Sequence, residues 1–215
     1  MGGVSPEQRP STAGKPVRCA IMISGSGSGM EAMIHHQRSN TGCGHETVLV
    51  IADRPDAKGL ERASLLGIES RCVPLSPDYE DPTNRRVAHE KIVHEHLLAA
   101  NVDLVLLSGY MRLLTPYLVG HWAPNMLNIH PSILPAFPGA HAHRDALASG
   151  VNVSGCTVHM VDEGMDTGAI LAQRRVPVFT DDTESSLAAR VRIEEHLLYP
   201  QVVDAFILQE SFQAN

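Results

Sequence analysis

For most of its length the chain alternates short apolar runs with polar stretches of helical periodicity. "VRCAIMI" (17–23), "TVLVIAD" (47–53), "ESRCVPL" (69–75) and "VDLVLLSGYM" (102–111) are almost continuously apolar at their centres. Runs of this length, without strict alternation, read as strands buried on both faces. Between them, "MEAMIHHQ", "PDAKGLERASLLG" and the stretch from Pro82 to Ala100 have helical character, the second closed by Gly67. "TPYLVGHW" predicts a further short helix with Pro116 in its first turn. Strands alternating with helices predict an α/β fold, a mostly parallel twisted sheet flanked by helices.

The texture changes after residue 150. "VSGCTVHMV" (153–161) alternates more, "AILAQRRVPVF" (169–179) is a long strand, and "DEGMDTG" is a turn-rich link between them. An antiparallel strand pair at the sheet edge is expected there. "TESSLAARVRIEEHLLYPQVVDAFILQ" then predicts a final long helix, with Thr183 as N-cap and Glu184 or Ser186 supporting its first turn. One domain is expected over 17–215, preceded by a short disordered tail, 1–16.

Three stretches carry candidate chemistry. "ISGSGSGM" lies directly between a strand and a helix. Its glycines allow a tight turn and close approach, and the helix start offers N–H groups and the positive dipole end to an anion. It matches neither the full dinucleotide fingerprint nor a P-loop. A plain strand–helix turn explains it about as well as a phosphate site. "MLNIHPSILPAFPG" (126–139) places Asn128 and His130 two residues apart at what reads as a strand ending at Asn128. Positions i and i+2 of an extended chain share a side, so both can face one space at the carboxyl end of a strand. An amide donor beside an imidazole suits a developing oxyanion, and Pro131 and Pro135 stiffen the adjoining turn; read in isolation, the pair could simply satisfy loop backbone groups. "VDEGMDTGAI" holds Asp162, Glu163 and Asp166. Turn chemistry alone accounts for such a loop, but Asp166 could also hang over the same cleft, orient His130 and hold a water.

Charge and composition narrow the classes. The net charge is −7, from 17 basic and 24 acidic residues, and aromatic residues make up 4%. That balance does not suggest nucleic-acid binding. No apolar run reaches the length of a membrane-spanning helix, and the N-terminus has no apolar signal region. The four cysteines form no CxxC pair, so neither a disulfide framework nor a zinc knuckle is indicated, and a reducing, cytoplasmic setting is expected.

Together, "ISGSGSGMEAM", "VLLSGYMRLLTP", "LNIHPSILPAFPGAHAHRDAL", "GCTVHMVDEGMDTGAILAQ" and "RVRIEEHLLYP" resemble the formyltransferases that use 10-formyltetrahydrofolate. Among these, the glycinamide ribonucleotide formyltransferases of purine biosynthesis are the best match. The resemblance runs from about Arg18 to about Phe206. It implies a Rossmann-like fold and a catalytic trio at Asn128, His130 and Asp166. It implies that Ser26, Gly27, Ser28 and Gly29 cradle the substrate phosphate and that Glu195 contacts the ribonucleotide. It implies a folate pocket lined by Met111, Arg112, Leu113, Leu114 and the segment Val161, Asp162, Glu163, Gly164, Met165, with Arg85 as a further anion contact. The family commonly has Asn where Gly29 stands, Gln where Arg192 stands, and "LDGG" where this chain has "MDTG". The folate is a cosubstrate, no metal is expected, and the partners are small molecules, with the chain a monomer or homodimer.

Other readings stay in view. A 10-formyltetrahydrofolate hydrolase would use the same residues with water as nucleophile, and usually carries an extra N-terminal domain. A methionyl-tRNA formyltransferase usually adds a C-terminal domain and a basic surface. A non-enzymatic nucleotide-binding module would have no need of all three catalytic groups. His141 and His143 in "HAHR", with His130 and His159, could be drawn as metal ligands. They are expected instead to cap the next helix (His141, His143) and to pack beneath the site (His159).

Overall fold

The computed structural model describes residues 14–208; most of the expected tail, residues 1–13, and the chain end from 209 lie outside the described residues. Within the described residues seven strands form one sheet: β1 (Val17–Ile23), β2 (His45–Ala52), β3 (Ser70–Cys72), β4 (Leu104–Ser108), β5 (Met126–His130), β6 (Val153–Met160) and β7 (Ile170–Pro177). The order is β3-β2-β1-β4-β5-β6-β7, with β1 to β5 parallel to one another and β5–β6 and β6–β7 antiparallel. Among the described residues six helices surround it: α1 (Ser28–Ser39), α2 (Lys58–Leu65), α3 (Pro82–Ala99), α4 (Pro116–Trp122), α5 (Ala142–Ala148) and α6 (Glu184–Ile207). None is long and apolar enough to cross a membrane.

The continuous apolar strands follow from two separate cores. On β1, Cys19, Ile21 and Ile23 pack with Met33 of α1, Ala63 of α2, Ala146 of α5 and Leu187 and Val203 of α6. Ala20 and Met22 turn the other way, onto Val93 and Leu97 of α3 and Leu118 of α4. Each side of the strand is therefore buried, and no polar alternation is available to it. Fully burying one such large aliphatic side chain stabilises the fold by roughly 1.5–3 kcal/mol.

Several boundaries differ from those expected. β4 stops at Ser108 because the next residues serve another purpose. The Met111 N–H donates to Ser24 Oγ (2.8 Å) and the Ser24 N–H to the Gly109 carbonyl (3.1 Å), which ties the exits of β1 and β4 together. β5 runs on to His130, two residues past Asn128, because β6 pairs with it as far as His130–Thr157. α1 begins at Ser28, so Ser28 and Gly29 belong to its first turn. α6 has the expected Thr183 cap, with Ser186 completing a reciprocal box: the Ser186 N–H donates to Thr183 Oγ1 and the Thr183 N–H to Ser186 Oγ.

The topology decides where a ligand can sit. From β1 the chain steps outward to β2 and β3, then crosses back to place β4 on the other side of β1. The loops leaving β1 and β4 diverge, and a crevice opens at the carboxyl ends of these strands.

One buried charge holds the far wall of that crevice. Glu90 of α3 is 1% exposed. Its carboxylate accepts the Thr115 N–H (2.7 Å), the Thr115 hydroxyl (2.5 Å) and the Leu118 N–H (3.2 Å), and so caps α4 from a neighbouring helix. Burial raises its pKa, and the three donors oppose that shift. Glu90→Ala is expected to destabilise the protein by about 2–4 kcal/mol, because it leaves those donors buried and unpaired. A urea-unfolding midpoint unchanged from wild type would contradict this assignment.

Candidate active site

At the exit of β1 the loop passes close against α2. Gly27 has φ +71°, and a Cβ there would come 2.6 Å from the Gly59 Cα. The Gly59 N–H in turn donates to the Gly25 carbonyl (3.0 Å). Only glycine allows both the left-handed turn and this approach. The turn delivers the chain into α1, whose first-turn N–H groups and dipole favour an anion. Ser28 Oγ lies 3.5 Å from Ser26 Oγ and 3.3 Å from His196 Nε2 of α6. Gly29 has a different reason to be glycine: a Cβ there would run into Ser108 Oγ at the end of β4. Ser108 was not foreseen, because its position depends on β1 and β4 lying side by side.

The strand register brings the catalytic candidates together. On β5, Asn128 pairs with His159 of β6 and His130 with Thr157. Asn128 Nδ2 lies 3.0 Å from His159 Nε2 and donates weakly to Asp166 Oδ1 (3.5 Å). His130 Nδ1 is 3.4 Å from Asp166 Oδ2, and His159 Nε2 is 3.5 Å from Asp166 Oδ1. Asp166 adopts φ +56° and accepts the Gly139 N–H at 2.8 Å. Asn128, His130 and Asp166 therefore share one space, and His159 joins them as a fourth member. His159 does not merely pack beneath the site.

Carbonyl partners fix one protonated nitrogen on each imidazole. His130 Nε2 faces the Phe137 carbonyl (2.9 Å) and His159 Nδ1 the Met160 carbonyl (2.8 Å). A carbonyl only accepts, so those nitrogens carry the protons. His159 Nε2 then accepts from the Asn128 amide, which also faces Asp166 Oδ1. His130 Nδ1 is left as the basic atom of the site, beside the Asp166 carboxylate. Burial lowers the His130 pKa below its ordinary value, against the opposing pull of Phe137 and Asp166. Burial alone would raise Asp166, but His159, the Gly139 N–H and the His130 charge together bring it below the usual carboxylate range.

The loop after β5 is held from below. Thr157 Oγ1 donates to the Ser132 carbonyl (2.7 Å) and accepts the Leu134 N–H (3.1 Å), while Gln173 Nε2 donates to the Leu134 carbonyl (2.8 Å). These bonds fix the turn that returns the Phe137 carbonyl to His130 and the Gly139 N–H to Asp166.

The resulting cleft of about 710 Å³ runs from the glycine loop to the acidic loop. Its lining includes Ser26, Gly27, Ser28, Gly29 and Glu195 at one end and Met111, Arg112, Leu113, Leu114, Val161, Asp162, Gly164 and Met165 at the other. Arg112 Nε is anchored on the buried Asp53 carboxylate at 2.5 Å. Asp162 Oδ1 organises its own loop, accepting the Thr167 hydroxyl (2.8 Å) and the Gly164 N–H (3.1 Å). Two expected residues are not brought in. Arg85 folds back onto the Tyr79 carbonyl, and Glu163 is exposed outside the lining. His143 was expected to cap α5. It lies inside that helix instead and lines the cleft, with a buried Nδ1 that has no protein partner; the His141 side chain forms no cap hydrogen bond.

This geometry makes two outcomes testable. Gly29→Asn alone is expected to disturb the loop and raise KM for a phosphorylated substrate. Adding Ser108→Ala should restore much of the loss, since it frees the space; steady-state kinetics of both variants would tell. The His130 ring is expected to titrate below the ordinary imidazole value of about 6.5, and lower still in Asp166→Asn, which removes a charge favouring the imidazolium. An upward shift in an NMR titration would disprove that coupling.

Comparison with known proteins agrees with this architecture. A model of the formyl transferase family matches residues 17–203. The trifunctional purine biosynthetic protein adenosine-3 of Chironomus tentans is 43% identical over 187 residues, which are 86% of this chain but 13% of that protein. The chain thus spans only a small part of this much longer relative. The phosphoribosylglycinamide formyltransferase of Escherichia coli is 39% identical over 187 residues, 86% of this chain and 85% of its own. The crystal structure of glycinamide ribonucleotide transformylase 1 from Symbiobacterium toebii superposes with a TM-score of 0.84 at 41% identity, covering 90% of this chain and 89% of that one. A family match over most of its length, with the same fold in solved relatives, makes this chain a member of the formyl transferase family.

Proposed function

We propose that this chain transfers the formyl group of 10-formyltetrahydrofolate to the amine of glycinamide ribonucleotide, a step of purine biosynthesis. The observation that carries the reading is the meeting of Asn128, His130 and Asp166 between a phosphate-type glycine loop and an apolar-rimmed pocket. The names of the relatives support the choice of substrates.

In this reading the ribonucleotide phosphate lies on Ser26, Gly27, Ser28 and Gly29, and the Ser108 hydroxyl fills the space that a side chain at Gly29, where the family commonly has Asn, would take. Glu195 contacts the same substrate. Burial pushes Glu195 up to about 7, against the pull of Arg192, so its charge changes near neutral pH. The pterin lies along Met111, Arg112, Leu113, Leu114 and the 161–165 segment, and brings its N10-formyl group to Asn128.

The amine nitrogen attacks the formyl carbon and forms a C–N bond. Negative charge builds on the formyl oxygen, where the Asn128 amide and His130, which binds a proton at Nδ1 beside Asp166, stabilise it. Asp166 supports the imidazolium and holds the water that carries the proton from the attacking nitrogen to N10. The C–N10 bond then breaks, leaving tetrahydrofolate and the formylated amide. An aryl amine is an adequate leaving group, so the step calls on no metal. The four cysteines are free thiols, which suits a cytoplasmic, reducing setting.

A formyl-transfer assay with and without the ribonucleotide tests the proposal. Turnover is expected only when the amine is present, and Asn128→Ala should reduce kcat by about 10²–10³ while the circular dichroism spectrum stays native. Folate turnover that ignores the amine would instead identify a hydrolase.

A further inference from the structure

A second cluster of chemically active side chains lies away from the cleft, at the opposite, amino end of the sheet. His36 from the last turn of α1, Cys43 from the following loop, His45 at the start of β2 and Asp204 near the end of α6 present ligand-type atoms all within 4.8 Å of one another. The histidines weighed from sequence as metal ligands (His130, His141, His143 and His159) do not belong to it. We infer that His36, Cys43 and Asp204 form a binding site for one first-row divalent cation, zinc by the character of the donors, and that His45 orients the carboxylate.

The division of roles comes from the hydrogen bonds. Gln37 Oε1 accepts the Thr47 N–H (3.0 Å), so the amide presents its NH₂ to His45 Nδ1 (2.8 Å). His45 Nδ1 is therefore an acceptor, and the ring carries its proton on Nε2. That proton goes to Asp204 Oδ1 at 2.9 Å. Placing a metal on His45 Nε2 would turn two N–H groups against each other at Gln37. His45 thus stays off the metal and holds the carboxylate that binds it, as hydrogen-bond partners of ligands do in other metal sites. On His36 the close partner is the Asp204 carboxylate itself, at Oδ2, so a cation between the two would take the place of the shared proton. The amide of Asn40, an exposed residue, approaches both His36 ring nitrogens, at 3.2 and 3.1 Å.

The remaining donors are one imidazole, one thiol and one carboxylate oxygen, a mixed set that suits zinc. His36 Nε2 and Asp204 Oδ2 are 2.7 Å apart, and Cys43 Sγ is 3.8 Å from Asp204 Oδ1. In a tetrahedral zinc site neighbouring ligand atoms lie about 3.3–3.6 Å apart. Insertion therefore needs shifts of well under an ångström between His36 and Asp204. A hollow whose lining includes Lys15, Asn40, Thr41, Gly42, Cys43 and Asp204 gives access from solvent and room for a fourth, water ligand. Binding would release the Cys43 proton and join the α1–β2 loop to α6.

Cobalt(II) titrated into the chelator-stripped full chain tests this. One equivalent is expected to produce a near-ultraviolet sulfur-to-cobalt charge-transfer band, which one equivalent of zinc removes. Cys43→Ser lies in a loop and should keep the native circular dichroism spectrum while losing the band. His36→Gln should weaken zinc binding at least about tenfold by calorimetry. Zinc should also raise the Tm of the wild-type chain and not that of Cys43→Ser. Absence of the band in the wild type, or its survival in Cys43→Ser (with the exposed Cys72 then the source), would overturn the inference. Calorimetry of His36→Gln indistinguishable from wild type would overturn the ligand assignment.

Discussion

The Asp166 carboxylate is the point on which the candidate active site depends. It faces the Gly139 N–H, two imidazoles and an amide, supplied by β5, β6 and the loop between β5 and α5. Asp166 itself comes from the β6–β7 loop, in a left-handed conformation that costs a non-glycine residue about a kcal/mol or more. The Gly139 N–H and the Asn128 amide donate to the carboxylate in this conformation, which offsets the strain. Removing the carboxylate would leave the Gly139 N–H without its partner, and His130 would lose the charge that favours its protonated form.

The rest of the molecule keeps that point in place. Two cores clamp the sheet from opposite sides, so β5 cannot slide without disrupting both. β6 runs antiparallel beside β5, which sets His159 opposite Asn128 and Thr157 opposite His130. One of these neighbours joins the polar cluster; the other pins the proline-rich turn that carries the Phe137 carbonyl back to the imidazole. The site is thus preorganised by a rigid sheet, which holds catalytic geometry better than loops alone.

α1 and α6 connect the two ends of the protein. α1 starts at the glycine loop and carries His36 in its last turn, while α6 carries Glu195 and His196 beside the cleft and Asp204 farther along. The bridge from Asp204 to His36 and His45 fastens these helices and the start of β2 at the end away from the chemistry. Burial governs two of the acid–base groups of the cleft. It lowers His130 and raises Glu195, so each is driven toward its uncharged form.

Local patterning was enough to reveal the α/β alternation, the strand cores, the Thr183 cap and the antiparallel pair, because buried strands and amphipathic helices impose a pattern on the residues that form them. The same holds for Asn128 and His130, which share a side by the two-residue period of a strand, and for the glycine loop, whose composition reflects its turn. Features that depended on neighbours distant in the chain were not legible. Ser108 meets Gly29 only because β4 lies against β1, and His159 joins the site only through the register of β6. Arg85 had the charge for the cleft but not the position, since its helix directs it to the Tyr79 carbonyl. Nor could spacing bring Cys43 to Asp204, 161 residues apart along the chain. Sequence periodicity reports which side of its own element a residue occupies; which other element waits on that side is settled by the packing of the whole chain.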